Sequence, residues 1–76
     1  MNLTEKIIAC AASIYGVDAA SITVDTDIRE ELSNQSLKMI AFISAIEDET
    51  DIAIEIRDAG QLKTIGDFVK KAEELA

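Results

Sequence analysis

Residues 36–49, Ser-Leu-Lys-Met-Ile-Ala-Phe-Ile-Ser-Ala-Ile-Glu-Asp-Glu, predict the central helix of this fold. Apolar side chains recur at helical spacing along two tracks, one through Leu37 and Ile40 and the other through Met39 and Phe42. Apolar residues occupy so much of the circumference of this helix that more than one of its faces must be buried against other groups. We expect one side to pack into a core and the other to meet neighbouring elements, a partner or a ligand.

Two further helices are predicted on either side of this segment. The first covers Leu3–Tyr15, where apolar residues share one face. Asn2 or Thr4 can cap its start, and Gly16 follows its last apolar position, where a left-handed residue often ends a helix. The last helix is expected after the capping residue Thr64. Its apolar stripe consists of Ile65, Phe68, Val69, Ala72 and Leu75.

The segments between these helices lack a sustained helical period. Residues 17–35 mix turn formers with isolated apolar residues, which predicts a long loop pinned to the core, with a short helical turn in Asp27–Leu32. Residues 52–56 alternate as a strand would, but no second strand is available to pair with them. We therefore expect an extended connection and a short helix near Ile56–Leu62. The predicted fold is all-α: a small four-helix bundle with three main helices and one short helix, forming a single domain over residues 1–76.

The charge balance restricts the possible partners. Fifteen acidic residues against seven basic ones give a formal net charge of −8. Nucleic acids and anionic membranes are recognised by clustered Lys and Arg, so neither is an expected partner. A protein with a basic docking surface is the natural partner, because long-range attraction speeds its encounter. The charge is equally compatible with a role in solubility alone.

The residue inventory also argues against catalysis and metal binding. Cys10 is the only cysteine and histidine is absent, so the chain has no Ser–His or Cys–His pair and no zinc ligand set. Asp25-Thr26-Asp27 imitates the start of a calcium loop, but Glu30 and Ser36 stand where that loop needs Gly and Glu. We expect neither an enzyme nor a specific metal site, although loose binding of divalent cations by the acidic surface stays open.

The sequence also carries expectations about location. Its apolar runs are too short to span a bilayer, and residues 1–6 lack the basic and then apolar layout of a secretory signal. A lone cysteine suits a reducing compartment, and the small-residue stretch around Cys10 favours a packing role for it. We expect a cytoplasmic monomer.

Ser36 lies where the long loop meets the central helix. Taken by itself it is explained as a helix cap, because serine is a preferred N-cap residue. Residues 32–37, Leu-Ser-Asn-Gln-Ser-Leu, followed by an apolar helix that ends in acidic residues 47–49, resemble the acyl carrier protein family. In that family a Leu-Gly-x-Asp-Ser-Leu stretch opens the second helix. The resemblance extends over nearly the whole chain, including Ile28, Ile54 and residues 64–67.

This resemblance implies a carrier function. The family's serine corresponds to Ser36, which implies that 4′-phosphopantetheine is attached there and carries acyl intermediates of fatty-acid, polyketide or related biosynthesis as thioesters. It implies a phosphopantetheinyl transferase and acyl-handling enzymes with basic docking surfaces as partners. The implied partner-binding residues are Gln35, Leu37, Lys38, Ile40, Ala41, Glu47 and Asp48. The implied acyl pocket between the second and third helices consists of Phe42, Ile46, Ile54, Ala59 and Leu62.

Four residues depart from the family pattern, and the first is Ser33, which stands where Gly is common. Gln35 replaces the usual Asp before the serine, and Lys38 and Ala41 occupy positions that are often acidic in fatty-acid carriers. These departures indicate a specialised carrier with dedicated partners. They also leave an alternative from another class: an unmodified, acidic helical interaction domain in which Ser36 is only a helix cap.

Overall fold

The computed structural model describes residues 1–76 and contains helices but no strands, which confirms the predicted all-α fold. The helices are α1 (Leu3–Tyr15), α2 (Ser36–Thr50), α3 (Ile56–Ala59) and α4 (Ile65–Leu75). A 3-10 turn covers Ala19–Ser21 and a π-helical turn covers Ile28–Leu32. α1 lies against α2 and α4, and α3 lies against α2, within overall dimensions of 27 × 26 × 20 Å. None of the helices combines the length and apolar character needed to cross a membrane.

The start and end of α1 follow from three residues, Asn2, Glu5 and Gly16. The Asn2 side chain accepts a hydrogen bond from the Glu5 N–H at 2.8 Å, and Glu5 Oε1 accepts one from the Asn2 N–H at 3.2 Å. Each contact satisfies a backbone donor that the helix leaves free. Gly16 ends the helix with φ +68°, a left-handed conformation that glycine adopts without a Cβ clash. Of the two caps proposed from the sequence, Asn2 is the one used.

Thr64 and Asp67 form the same reciprocal cap at the start of α4. The Thr64 hydroxyl accepts a hydrogen bond from the Asp67 N–H at 3.1 Å. The Asp67 carboxylate accepts two in return, from the Lys63 and Thr64 N–H groups at 3.0 and 3.1 Å. These hydrogen bonds favour the ionised carboxylate and lower the pKa of Asp67 below its ordinary value of 3.8. The predicted cap is confirmed.

The long loop between α1 and α2 is held by backbone pairing with the segment before α4. The Ile28 N–H donates to the Lys63 carbonyl at 3.0 Å, and the Ile65 N–H donates to the Thr26 carbonyl at 3.1 Å. Ile22 and Ile28 are buried, which confirms that these two residues pin the loop to the core, whereas the apolar loop residue Val24 is exposed. The helical turn expected in Asp27–Leu32 is present as the π-helical turn.

The short third helix is shorter than the sequence predicted. Residues 52–55 form a connection without helix or strand, and its last residue, Glu55, is extended, but α3 ends at Ala59 rather than at Leu62. Gly60 follows its last residue, and glycine disfavours continuing a helix because it loses the most backbone freedom. Beyond Ala59 the chain continues as turns, in which the Gln61 N–H donates to the Asp58 carbonyl at 2.9 Å and the Leu62 N–H donates to the Ala59 carbonyl at 3.1 Å.

The core is aliphatic apart from three rings. Phe42 lies between Phe68 and Tyr15, with ring centroids 5.1 and 5.9 Å apart. Cys10 is 5% exposed, which confirms its expected packing role. Burial raises the pKa of the Cys10 thiol, and the nearby Glu49 and Asp48 carboxylates raise it further. The largest fully buried side chains are those of Phe42, Phe68, Ile7, Ile28, Ile46 and Ile65.

Candidate functional site

Ser36 is the first helical residue of α2, and its exposed hydroxyl makes no hydrogen bond within the chain. Gln35 occupies the N-cap position without a side-chain capping bond, so the interpretation of Ser36 as a helix cap is wrong. The first backbone bond of the helix runs from the Met39 N–H to the Gln35 carbonyl at 3.2 Å. The N–H groups of Ser36, Leu37 and Lys38 have no acceptor in the chain. α2 thus begins with an uncapped positive dipole end, whereas α1 and α4 begin with capping boxes.

A cavity of about 220 Å³ opens beside the Ser36 side chain, between the preceding loop, α2 and α3. Its rim carries hydrogen-bonding side chains and one guanidinium, and its apolar wall comes from α2 and α3. The lining residues are Arg29, Ser33, Asn34, Gln35, Ser36, Met39, Ile40, Ile56 and Gly60. An exposed hydroxyl therefore stands at the edge of a pocket that offers both polar and apolar contacts.

Comparison with known proteins identifies the family. The sequence profile of the phosphopantetheine attachment site matches residues 5–71. An acyl carrier protein of Saccharopolyspora erythraea is 31% identical over 74 residues, which cover 97% of this chain and 78% of that protein. This chain belongs to the acyl carrier protein family. It is accordingly a carrier and not an enzyme, and the family's cofactor is 4′-phosphopantetheine.

The start of α2 fits this cofactor, which is joined to the carrier through a phosphodiester. Ser36 offers an exposed hydroxyl that is not engaged elsewhere, as an acceptor of a phosphoryl group requires. The three free N–H groups and the positive end of the helix dipole favour an anion at this position. Ser33 and Asn34 on the cavity rim can donate to and accept from amide groups of an attached arm.

The residues expected to bind partners fall into two groups along α2. Gln35, Leu37 and Ile40 are exposed beside Ser36, and Leu37 is 79% exposed. Glu47 and Asp48 are exposed near the other end of the helix. At 1.5 Å per residue, Asp48 lies about 18 Å along the axis from Ser36. Apolar and acidic contacts are therefore separated along one helix.

Lys38 and Ala41, the remaining two expected partner residues, are half-buried. The Lys38 ammonium donates to the Ile14 carbonyl at 3.1 Å, close to the end of α1. Carbonyls in the last turn of a helix lack intrahelical partners, and a cation is favourable there. Lys38 is thus engaged within the bundle, joining α2 to α1.

The five expected acyl-pocket residues lie in the interior rather than around an open space. Phe42, Ile46, Ile54 and Ala59 are at most 3% exposed, and Leu62 is half-buried. None of them lines the cavity beside Ser36. Phe42, Ile46, Ile54 and Ala59 belong to the single buried core, and Leu62 packs against it.

Arg29 and Ile56 are cavity residues that the sequence analysis did not single out. The Arg29 guanidinium donates to the Leu62 carbonyl at 2.7 Å and to the Ala59 carbonyl at 3.0 Å, and so ties the π-helical turn to the end of α3. Ile56 is 61% exposed and extends the apolar surface of Leu37 and Ile40 onto α3. Nothing in the sequence indicated the exposure of Ile56 or the reach of Arg29, because both depend on how α3 and the π-helical turn pack in the fold.

Proposed function

We propose that this carrier bears 4′-phosphopantetheine on Ser36 and delivers acyl intermediates to enzymes of fatty-acid, polyketide or related biosynthesis. The observation that supports this most directly is the exposed, unbonded Ser36 hydroxyl at an uncapped helix start. The group supplies a thiol that holds acyl groups as thioesters. The chain itself supplies the rigid attachment point, the free N–H groups that face an anion, and the docking surface.

The docking surface that goes with this function has an apolar part and an acidic part. Leu37, Ile40 and Ile56 surround the attachment serine and can be buried by a partner. Glu47 and Asp48 lie about 18 Å away along α2 and suit a basic patch on that partner. Gln35, beside Ser36, lies within reach of any enzyme that approaches the hydroxyl. Ala41 lies on the same helix between the two parts.

The predicted acyl pocket belongs to the same proposal. Phe42, Ile46, Ile54, Ala59 and Leu62 are packed together, so an apolar chain reaches them only if α3 moves away from α2. α3 has only one turn, and such a movement must break the two hydrogen bonds by which Arg29 holds the Ala59 and Leu62 carbonyls. The protein that we propose is a single-domain monomer in the cytoplasm.

We further propose that the partners are dedicated ones rather than those of a housekeeping fatty-acid carrier. Lys38 contacts the end of α1, and Ala41 has no charge, so the first half of α2 lacks the acidic contacts that such partners use. Titration against a generic fatty-acid ketosynthase tests this. Weaker binding than the housekeeping carrier shows is expected, and equal affinity would refute it.

The attachment itself is tested by intact-protein mass spectrometry after incubation with coenzyme A and a broad-specificity phosphopantetheinyl transferase. We expect a gain of one phosphopantetheine mass in the natural chain and no gain in Ser36→Ala. Ser44→Ala is the matched control, because Ser44 is an exposed serine on the same helix, and it should be modified normally. No gain with several transferases would instead support an unmodified interaction domain.

A further inference from the structure

The cavity beside Ser36 is positively charged in an acidic protein. Arg29 is the only charged residue among those that line it, although the chain as a whole has a net charge of −8. No carboxylate faces this space. The remainder of the lining is polar at the rim and apolar on the wall formed by Met39, Ile40 and Ile56.

The Arg29 guanidinium keeps most of its donors free. It has five N–H groups, and two of its nitrogens donate to the Ala59 and Leu62 carbonyls. No carboxylate lies within ion-pair distance of it, whereas Arg57 on α3 pairs with Glu55 at 2.9 Å. Arg29 is half-buried and fixed by two carbonyls, so its remaining donors can bind an anion without the entropic cost of ordering a free side chain. The same side chain also borders a second surface hollow, which is lined by Asp27, Glu30 and Lys63.

We propose that this cavity binds the carboxylate end of a short carboxyacyl cargo, such as a malonyl-type group, through Arg29. This inference rests on the proposed attachment of the arm at Ser36. The apolar wall accepts the short carbon chain, and the guanidinium receives the carboxylate in a charge-assisted hydrogen bond. A long alkyl chain in the same space would desolvate the guanidinium without pairing it, which is unfavourable. The cargo class that fits is therefore short and anionic rather than long and apolar.

The test compares carriers loaded with malonyl-pantetheine and with uncharged butyryl-pantetheine, a group of similar length. The rate of alkaline thioester hydrolysis is measured by intact mass and divided by that of the same free pantetheine thioester. We expect protection of the malonyl group to exceed that of the butyryl group by about tenfold, the effect of one partly exposed charge-assisted hydrogen bond. The Arg29 side-chain Nε–H resonance should shift on malonyl loading and remain in place on butyryl loading.

Two variants separate binding from a structural role. Arg29→Met should abolish the tenfold difference, whereas Arg57→Met, which removes an exposed arginine that does not line the cavity, should retain it. If Arg29 only ties α3 to the loop, Arg29→Met will alter both cargoes equally and the proposal fails. The proposal also fails if attachment of the unloaded arm alone shifts the Arg29 Nε–H resonance as far as malonyl loading does. The anion bound by Arg29 would then be the phosphodiester of the arm.

Failure of the attachment proposal is distinguishable from failure of this one. If no transferase modifies Ser36, the same pantetheine thioesters are coupled to Ser36→Cys through a haloacetyl group, with Cys10 replaced by alanine to leave one reactive thiol. The malonyl and butyryl forms are then compared as before. Equal protection of the two groups in this form overturns the Arg29 proposal, and a difference lost in Arg29→Met supports it.

Discussion

Replacing Lys38 by methionine tests how the bundle uses a residue that the sequence analysis assigned to partner binding. The substitution keeps the apolar stem and a similar helix propensity but removes the ammonium that donates to the Ile14 carbonyl at 3.1 Å. A hydrogen bond from a charged donor contributes about 1.5–3 kcal/mol when buried, and partial exposure reduces this to about 1 kcal/mol. The interaction with the end of the α1 dipole is part of that figure.

The assay is thermal and urea unfolding of Lys38→Met beside Lys70→Met. Lys70 is an exposed lysine on α4 that makes no side-chain hydrogen bond or ion pair. A loss of about 1 kcal/mol lowers the Tm of a domain of this size by about 4–8 °C, whereas the control should change the free energy of unfolding by less than about 0.5 kcal/mol. Equal stability of the two variants would refute the role of Lys38 in joining α2 to α1.

Three other substitutions have defined outcomes. Asp67→Asn should lower the free energy of unfolding by about 1 kcal/mol at pH 7. Because hydrogen bonds lower the folded-state pKa of Asp67, the wild type should lose this advantage as the pH falls below about 4. A difference in urea midpoints that does not change with pH would contradict the role of Asp67 as a cap. Tyr15→Phe removes a buried hydroxyl without a partner, so chemical denaturation should show unchanged or higher stability, not a loss above about 0.5 kcal/mol. Phe42→Ala opens a cavity at the centre of the core and should lower the free energy of unfolding by about 3–5 kcal/mol, or leave no folded state by circular dichroism. A loss below about 1 kcal/mol would disprove the central position of Phe42.

The fold was predictable because its signals are local. Helical spacing, the Asn2 and Thr64 caps and the glycine after α1 all operate within a few residues, and the structure confirms each of them. The end of α3 was misplaced because four residues carry too little periodicity to define a boundary. Its observed end also depends on the carbonyl contacts of Arg29, which lies about 30 residues earlier in the chain.

The candidate site was only partly predictable, for the same reason. Ser36 was identified from its place between loop and helix and from the family resemblance. Its interpretation as the N-cap was wrong by one residue, because Gln35 occupies the N-cap position. Lys38 was assigned to partners because its sequence position does not reveal that its ammonium reaches α1. The cavity residues Arg29 and Ile56 come from separate segments that only the tertiary fold brings beside Ser36.

Locating the modification after transferase treatment shows whether Ser36 is the attachment residue. Trypsin releases residues 30–38, Glu-Glu-Leu-Ser-Asn-Gln-Ser-Leu-Lys, which contain both Ser33 and Ser36. Fragmentation of this peptide by tandem mass spectrometry distinguishes the two serines. We expect a single phosphopantetheine group on Ser36. A group on Ser33, or a peptide that remains unmodified, would show that Ser36 is not the attachment residue.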